Sequence, residues 1–271
     1  MLKINPQWIT QILEVFITEE LYKIGVKKAV LGLSGGVDSA VVACMAQRAL
    51  GNKNVHALIM PYKTSNPESR KHAELLANKI SISYDVIDIS PSVDAFLNQN
   101  KGIDSLRAGN RMARERMCHL YDYSSATGAL VLGTSNKTEL LLGYGTIFGD
   151  LASAVNPIGD LYKSQIWDLA RYLEVPAEII EKKPSADLWQ GQTDEQELGY
   201  TYEEIDRLMY YIVDERYPDA FILESGYEQK TIDDIKSRIQ RNQFKRRPPV
   251  IAKLSNRTIN QDFRYCRDWG V

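Results

Sequence analysis

Six consecutive residues, Ser34 to Ser39 (SGGVDS), carry the densest chemistry in this sequence. A short apolar run precedes them and the apolar stretch Ala40 to Leu50 follows, so they read as the turn between a buried strand and a buried helix. Such a turn aims several backbone N–H groups and the positive helix end at one point, which is an arrangement that binds phosphate. Gly35 and Gly36 allow close backbone approach, and the Ser34 and Ser39 hydroxyls add donors. A carboxylate at Asp38 would repel a bare phosphate; it fits if Mg²⁺ lies between them. The loop lacks the lysine of GxxxxGK[ST] and the spacing of GxGxxG, so it is neither a Walker loop nor a dinucleotide fingerprint. The plain alternative is a strand–helix turn in which Asp38 or Ser39 only caps.

Such a loop needs a sheet to hold it. Strands are expected at residues 28–33, 55–60, 83–89 and 129–133, with helices between them, which implies parallel βαβ units. The expected fold class is α/β: a doubly wound parallel sheet of about five strands flanked by helices, with helical additions at both ends. Asn5-Pro6 opens the first helix, and residues 68–80, 163–173, 202–212 and 232–239 form others. Asp104 to Tyr123 reads as a long helix with Leu106, Ala113, Met117 and Leu120 on one face and Arg107, Arg111 and Arg114 on another. Residues 182–199 are polar and weakly periodic, and read as a mobile segment near the site.

Composition narrows the class without choosing a function. The 271 residues are 44% hydrophobic and 25% charged, with 33 basic and 35 acidic residues and a net charge of −2. Nothing there argues globally for a nucleic-acid or membrane partner. Cys44, Cys118 and Cys266 form no CxxC pair, which speaks for a reducing compartment, and no Cys/His spacing resembles a zinc site. No apolar run approaches the roughly 20 residues that span a bilayer, so a cytoplasmic location is expected.

SGGVDS after a first strand resembles the loop of the N-type ATP pyrophosphatases. There an oxygen nucleophile attacks the α-phosphate of ATP, pyrophosphate leaves, and the adenylate meets a nitrogen or sulfur nucleophile. Three further blocks choose within that group: GTSNKTE at Gly133 to Glu139, PSADLWQGQTDEQELG at Pro184 to Gly199, and KRRPP at Lys245 to Pro249. Together with RMARERM at Arg111 to Met117 they resemble NAD synthetases in order and spacing. The resemblance implies ATP-dependent amidation of deamido-NAD to NAD through an acyl-adenylate, with ammonia as donor, ATP as co-substrate and Mg²⁺ as cofactor. A single domain over residues 1–271 and a homodimer are also expected.

By matching position, the resemblance assigns Asp38 and Glu139 to the metal. It assigns Gly32, Leu33, Ser34, Gly35, Gly36, Val37, Asp38, Ser39, Met60, Thr134, Lys163 and Ser185 to ATP. Lys163 and Ser34 would act on the transferring phosphate, and Asp150 would hold ammonium and accept its proton. Arg114, Phe244 and Lys245 would contact deamido-NAD. Each has a plainer reading: Asn136-x-x-Glu139 also scans as a capping box, Lys163 as a solvated helix-start lysine and Met60 as core. Likewise the arginines form a basic face, Asp150 a Gly-Asp turn, and Phe244 either stacks on a ring or packs in the core. Ile147 and Phe244 stand where ammonia-dependent enzymes of the family commonly carry lysine and histidine, and both surrounding stretches look closer to glutamine-dependent enzymes. The length leaves no room for a fused glutaminase, so ammonia is expected free or from a separate glutaminase. A tRNA-modifying pyrophosphatase and a non-catalytic nucleotide sensor are the rival readings.

Overall fold

Alternation along the strands sets the architecture. In the computed structural model, which describes residues 2–184, 198–247, 249–259 and 261–262, β1 (Ala29–Gly32) lies between β2 (Val55–Ile59) and β4 (Leu130–Val131). β3 (Ser83–Val86) is the outer neighbour of β2, giving the order β3-β2-β1-β4 with every pair parallel. Beyond β4 a single parallel bridge joins Leu132 to Val155. The expected fifth strand is therefore reduced to one bridging residue among the described residues, and β4 itself is two residues long where five were expected.

Successive side chains of a strand point to opposite faces, and the core divides accordingly. Ala29, Leu31, Val55, Ala57 and Ile59 pack on one face, under α1 (Pro6–Tyr22), α2 (Val37–Leu50), α3 (Pro67–Lys79) and α7 (Lys163–Tyr172). Val30, Leu58 and Val131 face the other way, toward α4 (Ser90–Gln99) and α5 (Ser105–Thr127). Burial on both faces is why these strands read as continuous apolar runs. Sequence periodicity had not singled out α4, whose ten residues begin at Ser90-Pro91. The N-terminal helical addition, α1, is seated on the first core through Ile17 and Leu21, which are fully buried.

A separate apolar cluster holds the C-terminal helices. α9 (Tyr202–Met209), α10 (Asp219–Glu224) and α11 (Gln229–Arg241) close around Ile205, Met209, Ile222, Ile232 and Ile235. Leu142 of α6 (Lys137–Leu142) and Tyr162 at the start of α7 join it, so this cluster abuts the two helices that follow the sheet's last strands. α8 (Ala177–Ile180) is a short turn after α7. The helix expected over 202–212 ends at Met209 and continues as a π-helical turn, Tyr210–Asp214.

Candidate active site

The C-terminal ends of β1, β2 and β4 open into a cavity of about 500 Å³, within the size range of small-molecule sites. This is where ligands of open parallel sheets bind. The Ser34 to Ser39 loop forms one wall. Gly36 is the N-cap of α2 and offers no side-chain cap, which leaves first-turn amides available to an anion. The loop is braced internally: Ser39 Oγ accepts from Ser34 N (3.2 Å) and donates to Gly36 O (3.0 Å), while Ser34 Oγ accepts from Gly36 N (3.2 Å). Gly35 has φ +76°, and a β-carbon there would collide with the Ser69 carbonyl, so the loop must carry glycine at this point.

Three charged side chains from distant parts of the chain meet beside the loop. Lys163 is 3% exposed, and its ammonium lies 2.5 Å from Asp38 Oδ2 and 3.9 Å from Glu139 Oε1. Asp38 Oδ1 accepts from Asn136 Nδ2 at 2.9 Å. Asn136 also caps α6, accepting from Glu139 N at 3.0 Å, while Asn136 N donates to Glu139 Oε2 at 3.2 Å. The two readings of Glu139 are therefore compatible: one oxygen closes the capping box and the other faces the lysine. The solvated-lysine reading of Lys163 fails, because its ammonium is buried against the carboxylates and the Tyr202 ring.

Asp150 sits elsewhere on the same wall. Thr146 N donates to its Oδ1 at 2.7 Å, and Thr146 Oγ1 donates to Asn110 Oδ1 at 2.6 Å, so the turn is tied to α5. Asp150 keeps accessible surface where it faces the cavity, yet protein surrounds it. That desolvation pushes its carboxyl above the ordinary range, against the Thr146 hydrogen bonds and the Lys245 charge, which pull it down. Lys245 gives its ammonium to the carbonyls of Gly143 (2.7 Å) and Gly145 (2.9 Å). Burial lowers its pKa, with Asp150 opposing.

Most of the expected site residues are brought together here. Gly32, Leu33, Ser34, Gly36, Val37, Asp38, Ser39, Met60, Thr134, Glu139, Asp150, Lys163 and Lys245 all line the cavity. Met60 is both core and lining, 7% exposed. Gly35 shapes the loop from behind. Ser185, and most of the segment 182–199, lie outside the described residues.

Two expected residues are not brought in. Arg114 is exposed on α5, where its Nε donates to Ile147 O at 3.3 Å, and Arg111 is taken by Glu115 at 2.6 Å and the Phe96 ring. Arg107, Arg111 and Arg114 are thus not lining residues, and another face of α5 (Ala113, Met117, Leu120) lines the cavity. Phe244 is 58% exposed and not a lining residue, which removes its core-packing alternative. Sequence reasoning missed Arg116, which lines the cavity and donates from Nε to Met60 O at 2.9 Å. Its spacing was legible: Arg116 stands three residues after Ala113 and four before Leu120, on the same face.

The NAD synthase family model matches residues 9–249. The chain belongs to that family. It is 56% identical over 269 residues to the NH(3)-dependent NAD(+) synthetase of Trichlorobacter lovleyi, covering 99% of this chain and 98% of that protein. The enzyme of the same description from Fusobacterium nucleatum is 53% identical over 253 residues, covering 93% and 98%. Among solved structures, the NH3-dependent NAD synthetase of Campylobacter jejuni, in complex with nitrate, superposes with a TM-score of 0.79 at 39% identity over 93% of this chain and all of that one. The NMN synthetase of Francisella tularensis gives 0.81 at 34% identity over the same shares. The Trichlorobacter lovleyi, Fusobacterium nucleatum and Campylobacter jejuni proteins are named as NH3-dependent, although Ile147 and Phe244 of this chain look closer to glutamine-dependent enzymes.

Proposed function

We propose that this chain is an ammonia-dependent ligase that converts deamido-NAD to NAD at the expense of ATP, releasing AMP and pyrophosphate. The observation that carries this reading is the meeting of Asp38, Glu139 and Lys163 at the phosphate loop, in a chain of this family. In the first step the nicotinate carboxylate attacks the α-phosphate. The Lys163 ammonium neutralises charge as it develops, and the loop amides with the Ser34 hydroxyl receive the departing pyrophosphate, Ser39 bracing the loop through Gly36 O. In the second step ammonia displaces AMP. The Asp150 carboxylate holds ammonium and takes its proton, a role that its raised pKa suits.

Asp38 and Glu139 fit a Mg²⁺ ion. Both are hard oxygen donors at a phosphate loop, and they already share one cation, the Lys163 ammonium. The ion would supply charge neutralisation on the triphosphate. Deamido-NAD would reach Lys245 and Asp150 along the cavity, with Arg114 at its outer margin, where it holds the Ile147 carbonyl. A homodimer is supported by the exposed stripe Trp8, Ile12, Val15 and Tyr22 on α1, whose steps of four, three and seven residues keep one helix face and suit helix packing. Among the described residues no helix is long and apolar enough to cross a membrane. A cytoplasmic site and one domain over residues 1–271 complete the reading.

The test is AMP release from ATP and deamido-NAD with ammonium or glutamine as donor. AMP and NAD form with ammonium; no AMP with either donor would sink the reading. Nicotinate mononucleotide in place of deamido-NAD decides whether the chain shares the acceptor implied by the Francisella tularensis enzyme's name. The expected result is a clear preference for the dinucleotide.

A further inference from the structure

Asp206 has no exposed surface and plays no part in the chemistry described above. It projects from α9, in the C-terminal cluster, toward the first turns of α6 and α7. Thr138 Oγ1 donates to Asp206 Oδ1 at 2.5 Å, and Ser164 N donates to Asp206 Oδ2 at 2.8 Å. The same Thr138 hydroxyl accepts the backbone N–H of Lys163 at 3.0 Å. Its proton and a lone pair are thus both committed, and the Thr138 rotamer is fixed. Thr138 adjoins Glu139, and Ser164 adjoins Lys163. One carboxylate therefore grips the residue beside each of two charged groups that meet Asp38.

We infer that Asp206 is a positioning residue for the adenylation step, holding Lys163 and Glu139 in register through Thr138 and Ser164. Packing alone does not call for an acid here. Ile205, Leu208 and Met209 of the same helix already bury the apolar face of α9, and an apolar residue at a buried position is commonly as stable as an ionic one. What a carboxylate adds is direction. It accepts two hydrogen bonds at fixed angles, one from a side chain of α6 and one from a backbone amide of α7 that has no acceptor within its own helix. The 2.5 Å and 3.9 Å separations of the Lys163 ammonium from Asp38 and Glu139 depend on how α6 and α7 are set, because both helices carry a member of the trio. Displacement of about 1 Å at such a trio costs catalysis on the order of 10²-fold.

The inference rests on the proposed reading of the site as an adenylating one, and the two are tested by different arms. AMP formation by the unaltered enzyme tests the reading. The inference is tested by Asp206→Asn, Thr138→Val and Thr138→Ser, measured for kcat, KM for ATP, KM for ammonium and Tm. Asp206→Asn and Thr138→Val should lower kcat by roughly 10- to 100-fold, as loss of groups that orient a site commonly does. KM for ammonium should stay within about twofold, since Asp150 is held by Thr146 instead. Thr138→Ser, which keeps the hydroxyl, should recover most of the loss. The double variant Asp206→Asn/Thr138→Val should be no slower than the worse single one, because both cut one chain of contacts. The inference is overturned if Thr138→Val keeps kcat within about twofold, whatever its Tm, or if Thr138→Ser is as slow as Thr138→Val. Should Asp206→Asn fail to fold, the valine–serine pair decides alone.

Discussion

Two lysine–carboxylate settings share the wall of one cavity and differ in where the ammonium is spent. Lys163 points at Asp38 and reaches toward Glu139, so opposite charges are matched directly. Lys245 gives its protons to the carbonyls of Gly143 and Gly145, and Asp150 takes its hydrogen bond from a backbone amide. In that second setting burial shifts both groups toward their neutral forms, the carboxyl up and the ammonium down. The first setting suits a job that needs fixed charge, holding a polyphosphate through a transition state. The second suits a job that needs a proton to move. The same two residue types serve opposite ends because backbone carbonyls hold the Lys245 ammonium and carboxylates hold that of Lys163.

The comparison breaks most visibly at the matched pair. Asp38→Asn and Lys163→Met should each lower kcat for AMP formation by roughly 10²–10³-fold, the cost of losing a preorganised charge. Lys163→Met also leaves both carboxylates without that ammonium, and urea unfolding should register a loss of about 2 kcal/mol, below the roughly 3–5 kcal/mol of a fully buried broken pair because both carboxylates keep some exposure.

Asp150→Asn should cost about 10²-fold, the low end for one general base. The two settings separate by pH here. A carboxyl whose pKa is raised on folding stabilises the folded state at low pH, and that contribution is lost as pH rises through the raised value. Asp150→Asn should therefore raise Tm at neutral pH while it slows the enzyme. The unaltered enzyme should lose rate on acidification at a higher pH than an ordinary carboxylate would give, and the variant should lack that limb. Lys245→Met removes the charge that holds the Asp150 carboxyl down, so the acid limb should move to still higher pH, with a smaller fall in rate. Phe244→Ala, at an exposed position off the cavity wall, should leave KM for deamido-NAD within about twofold and stability within about 0.5 kcal/mol.

Features written within a few residues were legible. The strand–turn–helix around Ser34 to Ser39, the Asn5 cap with Pro6, and the Asn136-x-x-Glu139 capping box all stand as their local signals require. The unbroken apolar runs of β1 and β2 announced a sheet buried on both faces, and the structure fills both. The weak places were equally physical. The strand expected at 129–133 pairs over only two residues, and one bridge at Val155 leaves too little pattern to locate a fifth. α4 begins at Ser90-Pro91, where an isolated X-Pro reads as a turn as readily as a helix start.

By itself the sequence determined the local chemistry: a phosphate-binding turn, the residue types around it, and the faces that periodicity defines on each helix. Periodicity does not say which face looks at what. Arg114 and Arg116 are two residues apart, about 200° around α5, and only packing decided that Arg116 meets the cavity while Arg114 holds Ile147. The meeting of Asp38, Glu139 and Lys163, and the grip of Asp206 on Thr138 and Ser164 beside the last two, also belong to the tertiary structure. Their partners lie tens to more than a hundred residues apart, and no local pattern encodes a contact that exists only once separate helices are packed around one sheet.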